Sequence, residues 1–201
     1  MSKRLYVAYG SNLNIQQMVS RCPGAKLYGT GVIENFELQF KGQPHGAFAT
    51  IAPKDGASVP VAVWEISKRN EQALDRYEGY PSHYFKQDVP VQLDGKEVTA
   101  MVYVMNLKMD FGLPAPYYYD VVREGYEDCG LDPAALEQAL RESTAQFYGS
   151  HWPHQESIFR FESDAEPDED ELEEDDDPDL DEDEPELDET DPFYFSEGMH
   201  L

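Results

Sequence analysis

The stretch Leu5-Tyr6-Val7-Ala8-Tyr9-Gly10-Ser11-Asn12-Leu13 changes character in its middle. Leu, Tyr and Val at its start favour a pleated, half-buried surface, which predicts a strand over residues 4–9. Gly10, Ser11 and Asn12 are turn residues. Beyond them Leu13 and Ile15 to Val19 fit a helix, with Ser11, Asn12 or Asn14 as its N-cap. A strand that turns sharply into a helix leaves backbone N–H groups free at the helix start. Those groups and the helix dipole suit an anion, or an oxygen that gains negative charge during a reaction. Taken alone, the pattern also fits an ordinary strand–turn–helix joint, because turn residues beside a strand are common.

A second stretch, Ser67-Lys-Arg-Asn-Glu-Gln-Ala-Leu-Asp-Arg-Tyr-Glu78-Gly79-Tyr80-Pro81, predicts a short helix. Ser67 fits the N-cap, Gly79 the C′ position, and Pro81 blocks continuation. Glu78 then sits in the last turn, where a carboxylate has the wrong charge for the helix dipole. Broken local rules of this kind concentrate at functional sites. The dipole, with burial against Tyr77 and Tyr80, would raise the Glu78 pKa toward the range a general acid/base needs near neutral pH. Asp75, about one turn earlier on the same helix, is expected to matter much less. A solvated Glu at a frayed helix end is the structural alternative.

Taken together, the two motifs resemble the γ-glutamylcyclotransferase superfamily, plant AIG2-like proteins included. The resemblance rests on Tyr-Gly-Ser-Asn-Leu at residues 9–13 and Leu-Asp-x-x-Glu-Gly at residues 74–79. More of the chain agrees: His45-Gly-Ala-Phe-Ala-Thr-Ile51, the stretch 59–66 leading to the Glu helix, Tyr84, and Glu97-Val-Thr-Ala-Met-Val-Tyr103. Pro114-Ala-Pro-Tyr-Tyr-Tyr, Glu124-Gly125 and Cys129-Gly-Leu131 complete a likeness over residues 4–133. Asn12 points away from the family's glutathione-specific branch, which has a different residue there.

The resemblance implies an α+β fold: a small, strongly curved and partly closed mixed β-barrel with helices packed against it. It also implies an enzyme in which the α-amine of a γ-glutamyl amide attacks its own γ-carbonyl, giving 5-oxoproline and a free amine or amino acid. Glu78 would be the catalytic acid/base. Tyr6, Val7, Ala8, Tyr9, Gly10, Ser11, Asn12 and Tyr103 would bind the substrate, with Tyr6, Tyr9 and Tyr103 donating O–H groups. No metal or cofactor is required.

Composition sets the limits. Of 201 residues, 1–161 hold all 15 Lys and Arg with 19 of the 41 Asp and Glu. The body therefore carries four net negative charges and residues 162–201 carry twenty-two. Cys22 and Cys129 are too few for a disulfide framework in a chain this long, and free thiols in a reducing cytosol are expected. The basic start is followed by an apolar run far too short for a signal peptide, and no stretch is long enough to span a bilayer. These features predict a soluble cytoplasmic protein with no nucleic-acid or membrane partner and a small-molecule γ-glutamyl amide substrate; a homodimer is compatible with them.

Strands are expected on both sides of Glu34-Asn35 within residues 25–40, and over 47–52 and 59–66 across a turn at Pro53-Lys-Asp-Gly56. A hairpin of 85–93 and 96–105 is expected to turn at Asp94-Gly95 as type I′. Helices are expected over 117–129 and 133–148, the latter capped by Asp132 with Pro133 at N1. Gly29-Thr30-Gly31 lacks the third glycine and the following helix of a dinucleotide site.

Residues 151–161 are aromatic and expected to pack on the body. His151-x-x-His154 has no third ligand nearby in sequence, which argues against a metal. Residues 162–201 read as an acidic, disordered tail, with Phe193-Tyr-Phe195 its only aromatic cluster. The division expected is thus 1–161 catalytic and 162–201 tail. Two rival readings remain. One is a non-catalytic γ-glutamyl or carboxylate-binding module. The other is an interaction protein whose polyacidic tail docks a basic protein partner. The leaving amine stays open.

Overall fold

The computed structural model describes residues 3–151. Expectations for the stretch 151–161, the His151/His154 pair and the acidic tail rest on residues 152–201, which lie outside that range. Element order is β1 (Lys3–Ala8), a 3-10 turn (Ser11–Leu13), α1 (Ile15–Arg21), β2 (Lys26–Gln43), β3 (Gly46–Ser67), α2 (Lys68–Tyr77), β4 (Tyr84–Leu93), β5 (Lys96–Met105), α3 (Pro116–Asp128) and α4 (Ala134–His151). The sheet curls until it closes into a barrel of order β1-β3-β2-β4-β5. β1 makes the closure: it runs antiparallel to β3, Val7 facing Val63, and parallel to β5, Val7 facing Val102. All three of those valines are buried in the barrel core. The opening stretch of the chain is therefore its central seam.

β2 and β3 form one long bent hairpin, and this corrects the expected strand–turn–strand. The ladder runs from Gln43↔Gly46 to Phe36↔Pro53, jumps, and resumes from Glu34↔Ser58 to Lys26↔Glu65. Residues 54–57 bulge out against Asn35 alone. Asn35 sits at φ 60, and its Oδ1 accepts a hydrogen bond from Gly56 N–H at 3.0 Å. The Pro53–Gly56 signal was a bulge, which re-aims a strand without ending it. The expected break at Glu34-Asn35 is the same bulge seen from β2. The β4–β5 hairpin turns as expected, with positive φ at both Asp94 and Gly95.

The helices start where their caps direct. Ser67 and Asn70 form a reciprocal capping box on α2. Asn14 caps α1, its Oδ1 accepting from Gln17 N–H at 3.0 Å. Asp132 Oδ1 accepts from Ala134 N–H at 2.9 Å ahead of α4. α3 packs so closely on the 3-10 turn that a Cβ on Gly125 would meet Leu13 Cβ and Asn14 N, each at 2.6 Å. Among the described residues, no helix is long and apolar enough to cross a membrane.

Candidate active site

The turn after β1, the end of α2 and the ring faces of β5 meet in one small cleft, partly open to solvent. Tyr6, Tyr9, Gly10, Ser11 and Asn12 line it from the first motif, Glu78 from the second, and Tyr103 from β5. Two motifs 66 residues apart in sequence thus touch directly: Asn12 Nδ2 donates to Glu78 Oε1 at 3.0 Å. Val7 and Ala8 are buried at 1% exposure within β1 and do not line the cleft. Their side chains hold the strand in the barrel wall.

Glu78 is the C-cap residue of α2, its N–H bonded to Leu74 O at 2.8 Å. Gly79 follows at φ +63 as C′, where a Cβ would come within 2.7 Å of His83 Nδ1. Burial pushes the Glu78 carboxyl up to about 7, against the opposing pull of the Arg21 charge and the Asn12 hydrogen bond. The residues expected to strip its water are not the ones that do so. Tyr77 is 50% exposed and Tyr80 42%. The rings around the cleft are instead Tyr6, Tyr9, Tyr84, Tyr103 and Tyr118.

The hydroxyls divide by what they already bond. Tyr9 O–H donates to Tyr103 O at 2.6 Å, Tyr84 O–H to Ala49 O at 3.2 Å, and Tyr103 O–H to Asp75 Oδ1 at 2.6 Å. Those three protons are engaged, so of the three tyrosines expected to donate, only Tyr6 keeps its own. Tyr6 Oη accepts from Asn12 Nδ2 at 2.7 Å, and Tyr118 Oη accepts from Ala49 N–H at 3.1 Å. Each leaves a hydroxyl proton for a guest. Burial raises both phenols, which keeps them protonated.

The 3-10 turn supplies further donors. Leu13 N–H bonds Gly10 O at 2.9 Å and Asn14 N–H bonds Ser11 O at 3.2 Å. The N–H groups of Ser11 and Asn12, first in the turn, make no hydrogen bond to the described residues. They are the orphan donors of a helix start.

Sequence reasoning gave no site role to Arg21, nor to Tyr84, Tyr118 and Ala49, which entered only as part of the family likeness. Arg21 at the end of α1 had a complete structural explanation as a cation at a helix C-terminus. Tyr118 stands in a run of three tyrosines, and only helix phase separates them. Tyr117 is 77% exposed, Tyr119 packs on Phe40 with ring centres 6.2 Å apart, and Tyr118 enters the cleft.

The described residues contain no group of three or more His, Cys, Asp or Glu placed to hold a metal. Burial pushes the thiols of Cys22 and Cys129 up to about 11, so neither is a thiolate nucleophile at neutral pH. What the cleft offers is one carboxyl poised near neutrality, facing neutral O–H and N–H donors.

A family model described as gamma-glutamyl cyclotransferase, AIG2-like, matches residues 6–120. A gamma-glutamylcyclotransferase of Bos taurus is 34% identical over 140 residues, covering 63% of this chain and 72% of that protein. The Homo sapiens protein of the same name is 32% identical over 146 residues, covering 68% and 77%. Among solved structures, a gamma-glutamyl cyclotransferase superimposes with TM-score 0.63 at 31% identity, over 69% of this chain and 86% of that one. YkqA of Bacillus subtilis reaches TM-score 0.61 at 20% identity, over 73% and 56%, and shares the fold.

Proposed function

The chain belongs to the AIG2-like gamma-glutamyl cyclotransferase family, and from that premise we propose that it cyclises γ-glutamyl amides to 5-oxoproline with Glu78 as its single general acid/base. A γ-glutamyl group carries its own nucleophile. Holding the chain bent turns the attack into a near-unimolecular step, and positioning contributes much of the rate. Glu78 as carboxylate takes a proton from the α-ammonium. The freed amine attacks the γ-carbonyl carbon and closes a five-membered ring. The carbonyl oxygen becomes an oxyanion, received by neutral donors: the Ser11 and Asn12 N–H groups with the Tyr6 or Tyr118 hydroxyl. Collapse breaks the amide C–N bond, and Glu78 as carboxylic acid protonates the leaving nitrogen. The attacking nitrogen must shed a second proton to become the lactam N–H. Glu78, a carboxylate again, takes it and passes it to the released amine, which departs as ammonium, so no acid or base is consumed.

The observation that carries this reading is the Asn12–Glu78 contact. It sets a carboxyl with a pKa of about 7 beside the turn that holds the free donors. A carboxyl at that value is half ionised at neutral pH, the state that serves both proton transfers. The test is incubation of the purified protein with γ-glutamyl amides of amino acids, peptides and a lysine side chain. Release of 5-oxoproline without added metal or nucleotide is expected. Tight binding with no product from any donor would favour a non-catalytic binding module.

The same reading takes residues 1–161 as the catalytic domain of a cytoplasmic enzyme and 162–201 as a disordered acidic tail outside the chemistry. Deletion of 162–201 should leave turnover and Tm nearly unchanged. A Tm lower by several degrees would overturn that division.

A further inference from the structure

Resting on the reading of Glu78 as acid/base, we infer that Arg21 is a positioning residue: its guanidinium fixes the Asn12 amide so that both protons of that amide are aimed at Tyr6 and Glu78. The geometry is a relay of three links. Arg21 Nη1 donates to Asn12 Oδ1 at 2.7 Å. With its oxygen held there, the Asn12 NH2 must face the other way, and it donates to Tyr6 Oη at 2.7 Å and Glu78 Oε1 at 3.0 Å. An amide flipped by half a turn would set its NH2 against the Arg21 guanidinium and its oxygen against the Glu78 carboxylate, losing both of those bonds.

Arg21 is itself held by three further contacts besides Asn12. Its Nη2 donates to Gln17 Oε1, one turn back on α1. Its Cζ lies 3.8 Å over the centre of the Tyr77 ring of α2, and Nη1 also reaches Ser11 Oγ at 3.1 Å. The planar fork therefore joins α1 and α2 to the 3-10 turn that lines the cleft. A lysine supplies the charge and lacks the fork and the flat face for stacking.

The charge has a second effect through the same geometry. The titratable groups around Glu78 are Tyr6 from β1, Tyr9 just after it, Tyr84 from β4, Tyr103 from β5 and Tyr118 from α3, all phenols that the Glu78 charge raises, and Arg21 from α1, which with Asn12 lowers the carboxyl. Arg21 is the one cation among them. It holds the carboxyl near neutrality against burial that would drive it higher.

The test compares Arg21→Lys and Arg21→Met with the full-length wild-type protein. The readouts are kcat and KM across pH and the titration of the Glu78 carboxyl carbon by NMR. That resonance is identified by its loss in Glu78→Gln. Thermal melts confirm that the variants fold. Arg21→Met is expected to lower kcat by at least about tenfold, a typical cost of misplacing a reacting group, and to move the Glu78 midpoint upward. Arg21→Lys is expected to lose a comparable share of kcat while the midpoint stays near that of the wild type, because charge is kept and the fork is lost. Near-normal kcat in Arg21→Lys would overturn the fork's role and leave only a field effect. A raised KM with kcat and midpoint unchanged in both variants would also overturn the inference, making Arg21 a substrate contact. The NMR titration does not depend on turnover. An inactive wild type in which the Asn12 side-chain NH2 signals still shift in Arg21→Lys, where charge is kept and the fork is lost, would therefore sink the proposed reaction and not the relay.

Discussion

Tyr103 Oη donates to Asp75 Oδ1 at 2.6 Å, and the same carboxylate oxygen lies 2.7 Å from Lys86 Nζ. Lys86 also meets Glu71 at 2.7 Å, and Glu71 meets Arg4 at 3.0 Å. Asp75 and Glu71 are one turn apart on α2, so this network ties the helix carrying Glu78 to β1, β4 and β5. Asp75, expected from sequence to matter little beside Glu78, holds the ring of Tyr103, which packs edge-on against Tyr6 with centres 5.8 Å apart. Asp75→Ala leaves the Tyr103 hydroxyl only the Glu71 backbone oxygen, 3.4 Å away, and removes one partner of Lys86. A stability loss of about 1–3 kcal/mol is expected in urea unfolding, the usual cost of an unpaired buried polar partner. The drop in kcat should be far smaller than that of Glu78→Gln. Equal losses of kcat would mean that Asp75 takes part in proton transfer.

Glu78→Gln keeps the shape and removes the proton. Turnover should fall by at least about 10²-fold, the usual contribution of a positioned acid/base, while γ-glutamyl binding largely survives because the turn at Gly10–Asn12 is untouched. Glu78→Asp should also lose activity, since it withdraws the carboxyl by one methylene from a fixed target. In the wild type, kcat/KM should rise with pH through an acidic limb near 7, the pH at which the Glu78 carboxyl becomes a base. A limb near the ordinary carboxylate value would show that Glu78 is not the titrating base.

Much of this was legible in the sequence for local reasons. Ser67, Gly79, Asn14 and Asp94-Gly95 set caps and turns through their own backbone chemistry, and each falls where that chemistry puts it. Glu78 stood out because it broke a local rule. The misses are non-local. Nothing near Arg21 says that its guanidinium bonds Asn12 and stacks on Tyr77. The phase of Tyr118 depends on how α3 lies on the 3-10 turn. The bulge at 54–57 has the residues of a turn, and only continued pairing with β2 on both sides makes it one strand.

Gly125→Ala tests how tightly α3 sets the first motif. The added methyl would meet Leu13 Cβ and Asn14 N at 2.6 Å, backbone among them, so the turn must shift. A destabilisation of about 1–3 kcal/mol is expected for overpacking a closed contact, with a fall in kcat because Asn12 sits in the displaced turn. Wild-type stability and turnover in this variant would show that the turn yields freely and that its geometry is not what catalysis uses.

The raised pKa of Glu78 also makes a prediction that needs no substrate. The folded carboxyl titrates at about 7 and the unfolded one at about 4.5. Between those values the folded state holds a proton that the unfolded state has released. Stability must then fall as pH rises across the window. Below about pH 4.5 both states are protonated and the carboxyl contributes its full share. Above about pH 7 both are ionised, and the fold bears the cost of a buried charge, at most about 3 kcal/mol for a shift of this size. Glu78→Gln removes the titration. Urea unfolding of wild type and variant should give a gap in the variant's favour that is small at pH 4, opens between pH 5 and 7, and levels off by pH 8. A gap independent of pH would mean that the carboxyl is solvated after all. A gap of the opposite sign at pH 8 would mean that Arg21 and Asn12 outweigh burial, and that the charged form is the one the fold prefers.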